Sequence, residues 1–66
     1  MRINRFKLAT EIMRKDWTQT SLAKEAGVSR VTVNSIVSGR KCTDDTGRRI
    51  AKALGVDVSE IIEKEG

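Results

Sequence analysis

TQTSLAKEAGVSRVTVNSIVSG, residues 18–39, reads as two short amphipathic helices joined by one tight turn. In the first half Leu22, Ala23 and Ala26 make a narrow apolar stripe of small residues, which lets another helix approach closely. Gly27 ends that helix, because a glycine just past the last periodic residue suits the left-handed position where a side chain would be penalised. Val28 follows as an apolar plug, and the Ser29 hydroxyl is placed to cap the next helix. There Val33, Ile36 and Val37 recur at i, i+3 and i+4 and face inward. Arg30, Val31, Thr32, Asn34, Ser35 and Ser38 are left on the outward face. That face carries two side chains able to make paired hydrogen bonds.

On the N-terminal side, periodicity predicts a helix from about Asn4 to Lys15, with Phe6, Ala9 and Met13 on one apolar stripe and Leu8 and Ile12 widening it. Arg2, Arg5, Lys7, Arg14 and Lys15 fall mostly outside that stripe, as on a solvated helical face. Trp17 is read as filling the corner between the first two helices; stacking on bases is the competing role, and no second exposed aromatic accompanies it. Thr18 is a plausible N-cap, without the Glu or Gln three positions on that would complete a capping box.

Beyond Gly39, Arg40, Lys41 and Cys42 form a loop, and Thr43 with Asp44 and Asp45 signals another helix start. Ile50, Ala51 and Leu54 supply its buried stripe and Gly55 its end. Asp57 and Glu60 then cap a last short helix whose apolar face is Val58, Ile61 and Ile62. Gly47, inside the fourth helix, costs about 1 kcal/mol relative to alanine, which points either to a frayed first turn or to a close approach of something to the backbone. Arg48, Arg49 and Lys52 repeat at helical spacing, either as a track for phosphates or as a solvated face. The count is five helices in one all-α domain, residues 1–66, with no repeat or low-complexity segment.

Composition supports this. A chain of 66 residues without proline and with two aromatic residues favours local helix contacts over a sheet that must close long loops. Residues 1–56 carry twelve basic and five acidic side chains, hence +7, and residues 57–66 one and four, hence −3. A basic body with an acidic tail suits a polyanionic partner. No apolar run approaches the roughly 18 residues of a membrane span, and no signal sequence opens the chain, so a cytoplasmic protein is expected. One cysteine, Cys42, makes no internal disulfide; it is read as an ordinary thiol, with a redox sensor activated by Arg40 and Lys41 as the alternative. With no histidine, no phosphate-cradling glycine loop and no metal-spaced Cys/His set, no enzyme, metal, cofactor or small-molecule ligand is expected.

Thr18-Gln19 with Leu22-Ala23, then Ala26-Gly27-Val28-Ser29, then Val33, Ile36 and Gly39, and finally Ile50-Ala51-Lys52-Ala53-Leu54-Gly55-Val56 together resemble the Cro/CI-type helix-turn-helix family of phage repressors and small bacterial regulators. The likeness runs from about Phe6 to Ile62. It implies a lambda-repressor-like five-helix bundle in which helices 2 and 3 form the motif and helix 3, about Ser29–Ser38, enters the major groove of double-stranded DNA. Carried over by position, Arg30, Val31, Thr32, Asn34 and Ser35 are candidates for base contact, and Gln19, Ser29, Ser38, Arg40 and Lys41 for phosphate contact. The chemistry fits: Arg30 can pair with guanine O6 and N7, Asn34 with adenine N6 and N7, and Val31 can pack on a thymine methyl. The expected function is a sequence-specific transcriptional regulator, a repressor of a prophage, mobile element or small operon. The alternative is an antitoxin-like or adaptor module on the same fold. A single small module buries only about 600–1,000 Å² of protein surface on DNA, so a homodimer on inverted half-sites is expected, joined through Val56, Val58, Ile61 and Ile62.

Overall fold

The computed structural model describes residues 1–63; Lys64 and Glu65, the last charges of the acidic tail, lie outside them. Four α-helices follow in order: α1 Arg5–Arg14, α2 Gln19–Ala26, α3 Arg30–Val37 and α4 Asp44–Leu54. A 3₁₀ turn, Val58–Glu60, comes last. Each start is capped by a side chain acting as acceptor: Asn4 for α1, Thr18 for α2, Ser29 for α3 and Thr43 for α4. The caps satisfy amides that have no partner within the first turn. Gly27 and Gly55 close α2 and α4 in the left-handed conformation, at φ +70° and +73°.

The expected fifth helix is not an α-helix. Ile61 leaves the helical region at φ −120°, and the chain turns back to pair with its own beginning. Asn4 N–H donates to the Ile61 carbonyl at 2.7 Å and Glu63 N–H to the Arg2 carbonyl at 2.9 Å, with an antiparallel bridge between Ile3 and Ile62. The backbone groups that would have continued a helix are spent on this pairing. The architecture is therefore four α-helices with a terminal 3₁₀ turn, and the bridge is the one β-contact among the described residues.

The core gathers Ile3, Leu8 and Ile12 with Leu22, Ala23 and Ala26 of α2, Val33 and Ile36 of α3, Ile50, Ala51 and Leu54 of α4, and Ile61. Here α1 departs from expectation: Phe6 is 71% and Met13 78% exposed, and Ala9 is exposed too. Two apolar stripes lie on different faces of this helix: at about 100° per residue, residues 6 and 13 point roughly 130° away from residues 8 and 12. The bundle takes the second, and Arg5, Lys7 and Arg14, all exposed, lie around the first. Trp17 is half-buried against the core, as expected, with the Lys15 ammonium 5.3 Å from its ring centre. Gly47 is buried because the Met1 side chain lies against it; of the two readings of this glycine, close approach is the right one.

Candidate nucleic-acid interface

α2 and α3 are joined by three residues, Gly27, Val28 and Ser29, the length of a helix-turn-helix connection. Val28 N–H reaches back to the Ala23 carbonyl at 3.0 Å and Gly27 N–H to that of Lys24 at 3.3 Å, closing α2 as left-handed glycines do. Val28 packs against the core. Ser29 adopts extended backbone and its hydroxyl accepts from Thr32 N–H at 3.1 Å. The angle between the helices is thereby fixed by one glycine, one plug and one cap.

Burial on one side of α3 dictates what the other side offers. Val33 and Ile36 are at most 1% exposed, so the helix cannot roll. Arg30 and Asn34 are exposed, Val31 is 74% exposed, and Ser35 is half-buried beside them. Among the described residues Arg30 makes no ion pair and Asn34 no side-chain hydrogen bond, so both keep their full donor capacity. Thr32 is half-buried and its hydroxyl lies 2.8 Å from that of Ser29, which ties part of the hydrogen-bonding capacity of both to the cap.

The candidate phosphate residues flank this helix on separate segments. Gln19, half-buried, opens α2 directly after its Thr18 cap. Ser38 is exposed at the far end of α3, where Gly39 at φ +97° turns the chain and Arg40 N–H closes on the Ser35 carbonyl at 3.0 Å. Arg40 and Lys41 follow, both exposed and neither ion-paired among the described residues. Arg49 behaves differently from its basic neighbours. Its guanidinium donates to Asp45 at 2.8 Å and lies against the turn, 3.7 Å from where a Cβ on Gly27 would sit. Arg48 and Lys52 are exposed.

Cys42 is half-buried, and burial pushes its thiol up from the ordinary value; the Met1 ammonium opposes that shift and Asp44 adds to it. This direction is opposite to the lowering that a thiol activated by Arg40 and Lys41 requires, so the activated thiol is corrected. Sequence reasoning also missed a groove in which Arg2, Asn4, Arg5 and Phe6 face Ser38 and Gly39. The signal was present, since Phe6 sits between Arg5 and Lys7, but assigning Phe6 to the core concealed it.

The family model described as helix-turn-helix matches residues 8–61. The chain belongs to the Cro/CI-type helix-turn-helix family. Membership supports a DNA-binding regulator, and the turn and exposed helix above are the parts such a regulator uses. No curated protein matches the chain. Among solved structures, a hydroxyethylphosphonate dioxygenase Y98F mutant superposes with a TM-score of 0.88 at 24% identity. Native PhpD with cadmium atoms does so at 0.85 and 24%. Each match covers the whole of this chain and 14% of the other, so the likeness is one of fold to a small part of a larger protein. Among the described residues no group of His, Cys, Asp or Glu is arranged to hold a metal ion, and no helix is long and apolar enough to cross a membrane.

Proposed function

We propose that the protein is a sequence-specific regulator of transcription that binds double-stranded DNA and represses a prophage, mobile element or small operon by occupying its promoter. One observation carries this reading. Arg30, Val31 and Asn34 stand free on the outer face of a helix whose inner face is locked into the core. Arg30 and Asn34 have the donor and acceptor geometry for guanine and adenine edges, and Val31 has the methyl surface for thymine. Ser35 and Thr32 complete the base-reading row. Gln19, Ser29, Ser38, Arg40 and Lys41 contact phosphates and set the register without reading sequence. Two copies act on inverted half-sites.

The competing reading is a protein-interaction module. It draws on the matches in which this fold makes up 14% of a chain named as a dioxygenase, a setting for a domain that serves a larger chain. Arg30, Arg40 and Lys41, exposed around one helix and without an ion pair among the described residues, favour DNA. Selection of bound duplexes from random sequence decides between the two. Enrichment of a motif supports the regulator, and Arg30→Ala is then expected to relax one base position at a cost of about 1–3 kcal/mol. Failure to enrich any sequence leaves the interaction module.

A further inference from the structure

The groove between the start of α1 and the end of α3 has features that the reading helix does not use. Arg5 is exposed, makes no ion pair among the described residues, and holds its guanidinium 5.1 Å from the ring centre of the exposed Phe6. A cation over an aromatic face is held in orientation while its outer edge stays free to donate. Across the groove lie Ser38 and Gly39, the residues that lead into Arg40 and Lys41. The positive surface at the end of α3 therefore continues onto α1 through a chain segment remote in sequence.

The helix start itself is not the attraction. Asn4 Oδ1 already accepts from Phe6 and Lys7 N–H, both at 3.0 Å. Among the described residues the carboxylate that lines the groove, Glu63, lies 3.9 Å from Arg2, and Arg5 has no carboxylate within ion-pair distance. We propose that Arg5, held by Phe6, is a second DNA contact. It takes a phosphate on the strand that runs past Ser38 and Gly39, outside the base pairs read by Arg30 and Asn34. The proposal rests on the DNA-binding reading, and it adds a contact to flanking DNA made by the first helix of the bundle.

The test uses the selected site in duplexes of increasing flank length, titrated at several salt concentrations. Arg5→Ala is expected to weaken binding roughly tenfold and lower the salt slope by about one unit, only on duplexes long enough to reach the groove. Phe6→Ala should give a smaller loss of the same length dependence, and Phe6→Tyr, which keeps the ring, should restore wild-type binding. Lys7→Ala removes an equal charge from a position of α1 that does not line the groove, and is expected to stay within about twofold at all lengths. Arg30→Ala serves as the counterpart, losing base preference on short and long duplexes alike. If Arg5→Ala matches Lys7→Ala at every length while the wild type still selects its site, the flanking contact is overturned and the regulator stands. If the wild type selects no site, both fall together.

Discussion

The side chain of Met1 occupies the space that Gly47 leaves open on α4: a Cβ at position 47 would overlap the Met1 sulfur. The backbones of residues 1 and 42 are paired as well. Cys42 N–H donates to the Met1 carbonyl at 2.8 Å and the Met1 amine to the Cys42 carbonyl at 2.9 Å. Through this one glycine, the segment before α1 braces the loop that follows α3 and carries Arg40 and Lys41.

Gly47→Ala should therefore fail to give the stabilisation that helix propensity predicts. Alanine gains about 1 kcal/mol in a helix interior, but it displaces the Met1 thioether from its packing. The sulfur sits near the end of a flexible chain, so its displacement offsets most of that gain and the net change is expected within about 0.5 kcal/mol of zero. The local signature is sharper than the global one. Hydrogen exchange at the Cys42 amide should accelerate, because its acceptor belongs to Met1. A full propensity gain with unchanged exchange would show that Met1 does not brace the loop.

A second prediction separates the two stripes of α1. Leu8→Ala is expected to cost about 2–5 kcal/mol, since Leu8 is wholly buried and its truncation leaves a cavity. Met13→Ala should change stability by no more than about 0.5 kcal/mol, the side chain being 78% exposed. Thermal or denaturant melts of the two variants decide it, and equal costs would contradict the assigned face.

That ambiguity marks where reading the sequence succeeds and where it stops. Gly27, Val28 and Ser29 were legible because each does a local job, and the structure finds the left-handed turn, the plug and the cap where the residue types place them. The outward row of α3 follows directly, since Val33 and Ile36 leave it only one face to bury. For α1, residues 6, 9 and 13 and residues 8 and 12 satisfy helical spacing equally well, and the choice belongs to tertiary packing. Ile3 was invisible for the same reason: it enters the core by pairing with Ile62, nearly the whole chain away. This pairing also replaced the last helix and drew Ile61 fully into the core, which removes one of the four residues assigned to a dimer contact. The groove at Arg5 joins segments more than thirty residues apart and has no periodic signature.

Acid should loosen the chain's end through Asp57. Its carboxylate accepts from Ser59 N–H at 2.9 Å, and this bond, with help from the Ser59 hydroxyl, holds its pKa below the usual value. The depressed value in the folded state means that the cap's contribution is fully present above the ordinary carboxylate range and is lost as pH falls through the lowered value. Asp57→Asn keeps an acceptor but cannot titrate. In the wild type, exchange of the Asn4 amide, which is bonded to Ile61, should quicken over that interval, and in the variant the acid-dependent part should vanish. An unchanged profile would detach the terminal pairing from this cap.

The last prediction follows from the size of the bundle. Its longest dimension is 31 Å and the other two are 21 and 18 Å. Half-sites one helical turn apart place two recognition helices about 34 Å from one another on the same face of the duplex, a separation comparable to the 31 Å extent of one copy, so two bound copies come within reach of each other. The contact between them is expected to be small. It should leave the protein largely monomeric in solution and make binding cooperative only on paired sites. Inserting half a turn between the half-sites moves the second copy to the opposite face. Inserting a full turn restores the face but opens the separation to about 68 Å, more than twice the length of the bundle. Both insertions should therefore reduce affinity to that of an isolated half-site. Cooperative binding that survives the full-turn insertion would require a contact beyond the reach of this domain. Equal affinity for one half-site and for the uninterrupted pair would remove the dimer while leaving the proposed base contacts of α3 untouched.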